Sequence, residues 1–125
     1  MDKKYVLTAL GYGIAGLLLG IYMAASKNHG QLVTHAHIML VGFVVSFIYA
    51  VIYKVWITEP VSTLFKAQYI CHQVGSIVLV FALYCMYGGF LSGAILEPIL
   101  AISSILVLLA MILMKVIYIK HAKST

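Results

Sequence analysis

Residues 5–25 read YVLTALGYGIAGLLLGIYMAA, and this stretch decides the class of the fold. It carries no charged residue, and at about 1.5 Å of rise per helical residue it can cross a hydrocarbon core about 30 Å thick. The rest of the chain has the same character, since 64% of its 125 residues are hydrophobic and only 9% are charged. So few charges cannot cover a soluble domain, and we therefore predict a membrane protein.

Three further apolar stretches follow, separated by short polar breaks. The predicted helices cover residues 5–25, 34–56, 64–87 and 98–119. Thr34 is the expected N-cap of the second helix, and Pro98 is expected in the first turn of the fourth. Because the loops are too short to hold a soluble domain, we expect a single all-α membrane domain, residues 1–125, built as a bundle of four transmembrane helices.

The positions of the lysines predict the orientation of this bundle. The chain has a net charge of +5, with eight basic residues, all of them lysines, against three acidic ones. If the helices alternate in direction, one side of the membrane holds both termini and all the lysines except Lys27. The lysines on that side are Lys3, Lys4, Lys54, Lys66, Lys115, Lys120 and Lys123. The positive-inside rule then places the N- and C-termini in the cytoplasm and the protein in the cytoplasmic membrane, with the lipid bilayer and not nucleic acid as its partner.

Aromatic and small residues predict where the helices meet lipid and where they meet each other. Tyr5 and Tyr53 lie near the lysine-rich ends, so we expect them at the inner membrane interface. Gly16 and Gly20 form a GxxxG pair, with Gly13 one turn earlier. The first helix can therefore approach a neighbour closely, either within the chain or between copies.

Polar residues inside a membrane are costly and usually functional, which makes the five histidines the first candidates for a site. We expect His121, in the lysine-rich tail, to be solvated or interfacial. His29, in the outer loop, is either solvated or a metal-binding or pH-sensing group. His72 lies deep in the third stretch and either hydrogen-bonds across helices or serves as a lower-ranked ligand. His35 and His37 open the second helix.

The spacing of His35 and His37 determines which sites they can form. Residues two apart on a helix lie about 200° apart around its axis, so the two rings cannot chelate one ion and each reaches a different inter-helix space. His37 lies 17 residues from Lys54, roughly 26 Å along the helix, whereas His72 lies six residues from Lys66, roughly 9 Å. His37 and His72 therefore lie at different depths in the membrane and are poorly placed to bind one cofactor together. The second ligand beside His35 or His37 is expected to come from a loop or from the same helix of another copy.

The run HAHIMLVGF, residues 35–43, resembles the H-x-H helix of subunit I of the haem-copper oxidases, above all in the cytochrome c oxidase and nitric oxide reductase branches. The likeness continues through IYAVIY at residues 48–53 and LFKAQY at residues 64–69. In that family the first histidine binds the high-spin haem and the second binds the low-spin haem. The resemblance therefore implies haem b and its iron as the cofactor, with His35 and His37 as axial ligands of two different haems.

The large oxidase subunit contains three arcs of four helices, and this chain resembles one arc alone. It lacks the adjacent histidine pair and the tyrosine motif of the copper centre, so the resemblance to an oxidoreductase subunit leaves enzymatic activity open. We expect a homo-oligomer, preferably a homotrimer, in which His37 of one protomer and His35 of the next hold each haem. The expected role is electron transport or haem-bound redox chemistry, with no redox partner defined.

Two other functions remain open at this point. The first is a membrane protein that binds copper or another transition metal near the outer face through His29, His35 or His37, with Met39 as a soft ligand. The second is a non-catalytic membrane assembly subunit whose histidines form hydrogen bonds only.

Overall fold

The computed structural model describes residues 1–123, and within them the protein is all-helical. Four long helices follow one another along the chain. They are α1 Asp2–Ser26, α2 Leu32–Trp56, α3 Thr63–Gly88 and α4 Gly93–His121. Each is long and apolar enough to cross a membrane, which confirms the predicted all-helical fold with four candidate spans.

Large apolar side chains cover the outside of the bundle. Leu7, Phe81 and Ile119 are 72%, 66% and 72% exposed. Soluble monomers keep exposed apolar patches small, whereas lipid tails accept such a surface without cost. The exposed surface therefore agrees with a multi-pass membrane protein. The cytoplasmic side of the termini stays a prediction.

Local signals explain both ends of α3. At its start, the Ser62 hydroxyl accepts a hydrogen bond from the backbone N–H of Phe65 at 3.4 Å, as an N-cap does. At its end, Gly89 adopts φ 72°, a left-handed conformation that glycine reaches without a Cβ penalty. The N–H of Phe90 then donates to the carbonyl of Cys85 at 3.0 Å, which closes the last turn.

Two predicted helix starts are wrong. α2 begins at Leu32, so Thr34 is not its N-cap; it lies in the first turn, where its hydroxyl donates to Gln31 Oε1 at 2.6 Å. α4 begins at Gly93, which places Pro98 inside the helix and not in its first turn. The proline removes one backbone hydrogen bond there, and the helix nevertheless continues to His121.

A π-helical segment, Ile38–Val44, interrupts α2 directly after His37. In an uninterrupted α-helix eight residues turn about 800°, which would leave Phe43 about 80° around the axis from His35. The π-segment turns less per residue and offsets part of this rotation. As a result His35, Met39 and Phe43 all face α1.

The bundle consists of two helical hairpins, α1–α2 and α3–α4, packed on each other. α1 presents to α2 a glycine stripe formed by Gly13, Gly16 and Gly20. A Cβ atom on Gly13 would lie 3.2 Å from the Phe43 ring, and one on Gly20 would lie 3.1 Å from the His35 ring. The GxxxG pair therefore serves packing within the chain, the first of the two alternatives that its spacing left open.

The core at the end of the bundle that holds both termini contains tyrosines that were expected at the membrane interface. Tyr5 and Tyr53 are only 0% and 5% exposed. Both hydroxyls donate to Oε1 of Gln68, at 2.5 Å and 3.1 Å. A buried amide needs partners, and these two phenols supply them from inside the bundle. The residues packed around them are Tyr49, Ala50, Ile57, Phe65, Met114 and Ile117.

The end of α4 contacts the end of α2 and the loop that follows it. His121 Nδ1 lies 2.5 Å from Glu59 Oε2, and the N–H of Lys123 donates to the Trp56 carbonyl at 2.7 Å. Of the two expected locations of His121, the structure disfavours the fully solvated one, because a carboxylate on the neighbouring loop contacts the half-buried ring.

Candidate functional site

His35 lies in the first turns of α2 and packs on the glycine stripe of α1. Its Nδ1 is 2.8 Å from the carbonyl oxygen of Gly16. The ring comes this close to α1 because Gly20 has no side chain. A carbonyl oxygen only accepts hydrogen bonds, so Nδ1 carries a proton, and in the neutral ring Nε2 then has the lone pair. The ring is partly exposed.

His37 has the same tautomer for a different reason. Its Nδ1 lies 2.8 Å from the carbonyl oxygen of Val33, one turn earlier in the same helix. This carbonyl also only accepts, so the lone pair of His37 is again on Nε2. The side chain is partly exposed and makes its hydrogen bond to its own helix and not to α1.

Together the two histidines offer two imidazole donors in two different directions. Histidines that bind metals usually donate the other ring N–H to a carbonyl or carboxylate, which fixes the ring and raises the basicity of the ligating nitrogen. His35 and His37 both meet this requirement through backbone carbonyls. Chemically, the arrangement can supply one axial nitrogen to each of two separate metal centres.

His72 is not brought together with these two residues. It lies on α3 with 0% exposure, and its Nε2 is 2.9 Å from the hydroxyl of Ser46 on α2. Ser46 follows His37 by nine residues, roughly 13 Å along a helix. The ring of Tyr49 packs edge-on against His72, with 5.0 Å between the centroids. His72 thus makes the hydrogen bond across helices that one of its two interpretations predicted.

The remaining metal candidates are dispersed. His29 lies exposed in the loop between α1 and α2. Met39 faces the glycine stripe one turn after His35. Among residues 1–123, no three histidine, cysteine or acidic side chains come close enough to hold a metal ion together.

α3 carries a stripe of buried polar residues that was not predicted from the sequence. It consists of Gln68, His72 and Ser76, which are spaced four residues apart and are all 0% exposed. The spacing itself was the available signal, because residues four apart share one face of a helix and polar groups inside a membrane are rare. Ser46 on α2, the hydrogen-bond partner of His72, has the same burial, and its role is evident only from the packed structure.

Comparisons with known proteins add no further constraint. The chain has no significant match among protein-family models, curated proteins or solved structures.

Proposed function

We propose that this protein is a membrane haem b protein in which neighbouring protomers of a homotrimer share each haem through two histidines, as an isolated relative of one arc of the haem-copper oxidase subunit. The observation that carries the proposal is a pair of hydrogen bonds made by His35 and His37. Nδ1 of each ring lies 2.8 Å from a backbone carbonyl oxygen, and in the neutral ring this hydrogen bond leaves on Nε2 the lone pair that an axial ligand needs.

The donor set fits a haem. Haem, when bound, supplies one-electron redox chemistry whose potential depends on the axial ligands and the surrounding polarity. The residues of the chain provide imidazole nitrogens and hold them in orientation. The Gly16 carbonyl fixes the His35 ring, and the Val33 carbonyl fixes the His37 ring.

The second ligand of each haem is assigned to another copy of the chain. Two residues apart on one helix, His35 and His37 cannot bind the same ion, and His72 is hydrogen-bonded to Ser46 in the core. A contact between His37 of one protomer and His35 of the next is head-to-tail, and such contacts form a ring where the rotation between protomers closes. A ring of three repeats the three arcs of the large oxidase subunit.

The absorption spectrum of the purified protein, oxidised and reduced, tests this function. We expect the sharp Soret and alpha bands of low-spin haem b, and we expect His35→Ala and His37→Ala each to lose them. His29→Ala is the matched control and should keep the full spectrum, because His29 lies exposed in the loop.

Two outcomes would contradict the haem assignment. Colourless protein that carries copper, and loses it in His29→Ala, would support a transition-metal site instead. Colourless, metal-free protein that stays folded after replacement of both His35 and His37 would support a non-catalytic assembly subunit.

A further inference from the structure

Two neighbouring members of the polar stripe on α3 have unpaired polar atoms. His72 and Ser76 are both 0% exposed. Nδ1 of His72 and Oγ of Ser76 have no hydrogen-bond partner among the described residues. The two residues lie one helical turn apart on the same face, so the two atoms can be reached from one point.

The other polar side chains of this core are paired. Gln68 accepts from Tyr5 and donates to the Ala110 carbonyl at 3.2 Å, and the Ser103 hydroxyl donates to the Leu100 carbonyl at 3.0 Å. Buried polar atoms without a partner are rare in native proteins because each costs the full loss of its hydration. Two such atoms on adjacent turns therefore indicate a shared partner.

We propose that His72 and Ser76 bind a single water molecule in the membrane core. Nε2 of His72 faces a hydroxyl group, Ser46, which both donates and accepts, so Nδ1 either carries a proton or exposes a lone pair. Water satisfies both states of Nδ1 and also the Ser76 hydroxyl. Buried waters in proteins have this role of linking polar groups that the chain leaves unpaired.

The surroundings of the site favour a neutral ligand. The phenol ring of Tyr5 from α1 and that of Tyr49 from α2 face the His72 ring, with centroids 5.9 Å and 5.0 Å away. Within residues 1–123, no group of three metal-ligating side chains includes His72. The site stands apart from the haem proposal, because it uses neither His35 nor His37.

Thermal unfolding of the full chain with Ser76→Ala tests the proposal, because the two possibilities predict opposite signs. With a bound water, the substitution removes one anchor and leaves His72 Nδ1 poorly paired, so the midpoint temperature falls. In a dry site, it removes an unpaired buried hydroxyl, so the midpoint rises or stays unchanged. Ser103→Ala is the matched control, equally buried but paired within α4, and should change the midpoint little in either case.

The same substitution in a His72→Phe protein distinguishes loss of a bound water from a simple change in packing. In a His72→Phe protein the water has lost its main partner, so adding Ser76→Ala should no longer lower the midpoint. An equal fall in both backgrounds, or a rise or no change in the wild-type background, would overturn the proposal.

Nuclear magnetic resonance gives a direct readout that does not depend on stability. We expect transfer of magnetisation from water to the His72 ring in the wild type and in Ser103→Ala, and its loss in Ser76→Ala. Absence of this signal from wild-type protein would overturn the proposal. A haem-free preparation that retains the signal would contradict the proposed function alone, so the two failures are distinguishable.

Discussion

Backbone carbonyls decide what the histidines at the start of α2 can do. The sequence alone predicts that His35 and His37 point in different directions, because this follows from helical geometry. It does not predict the tautomer of His35, because the Gly16 carbonyl lies 19 residues earlier and is reached only when α1 and α2 pack. The hydrogen bond of His37 was easier to predict from the sequence, because the Val33 carbonyl lies one turn earlier in the same helix.

Gln68 joins α3 to the three other helices in the core at the end of the bundle that holds both termini. It accepts hydrogen bonds from two buried tyrosine hydroxyls, Tyr5 and Tyr53. We expect Gln68→Leu to lower the free energy of unfolding by about 2 kcal/mol or more, because each unpaired buried hydroxyl costs about 1–3 kcal/mol. Titration with a denaturing detergent, followed by circular dichroism, measures this loss.

A triple variant provides the control for that experiment. Gln68→Leu combined with Tyr5→Phe and Tyr53→Phe removes all three polar groups together, and replacing every partner by apolar groups is nearly neutral. We therefore expect the triple variant to recover most of the lost stability. If it is no more stable than Gln68→Leu alone, the hydrogen bonds do not account for the loss.

At the scale of the helices, the π-segment of α2 and the glycines around it set the distance between α1 and α2. Gly42 lies inside the π-segment, and a Cβ atom there would lie 2.6 Å from Cγ of the Tyr12 ring and 2.9 Å from its Cβ. The Cβ of Tyr12 is fixed by the backbone of α1, so rotation of the ring cannot relieve this contact and the helix itself must move.

We predict that Gly42→Ala pushes α1 and α2 apart and destabilises the protein by about 1–3 kcal/mol. Because His35 packs in the same interface, haem content should fall as well. Gly11→Ala is the matched control: Gly11 is on α1 with no atom within 4 Å of the added Cβ, so the higher helix propensity of alanine should leave stability unchanged or slightly raised. Equal effects of the two substitutions in the detergent titration would contradict this account of the interface.

The elements show where prediction from one sequence succeeds and where it stops. Four helices follow from the length and apolar character of four stretches, because only helices of that length satisfy their backbone groups in lipid. The π-segment and the burial of Tyr5 depend on contacts between helices. Such contacts are difficult to predict here because all four helices are apolar around most of their circumference.

For the whole molecule, the central claim is that one chain supplies half of each haem site. The glycine stripe is used within the chain, and six polar side chains, among them Gln68 and His72, are buried in the described part of the chain. The partly exposed His35 and His37 are therefore the groups left to meet another protomer. This claim concerns the assembly and so needs an experiment on mixed assemblies.

Co-expression of a His35→Ala chain and a His37→Ala chain, each with its own affinity tag, tests the claim most directly. After purification on both tags, every ring of three contains both variants and has one interface where an intact His37 faces an intact His35. The account predicts that the reduced-minus-oxidised spectrum returns to about a third of the wild-type intensity, although each variant alone has none. A mixed assembly as colourless as the separate variants would contradict the account, because it would mean that neighbouring chains do not share the haem.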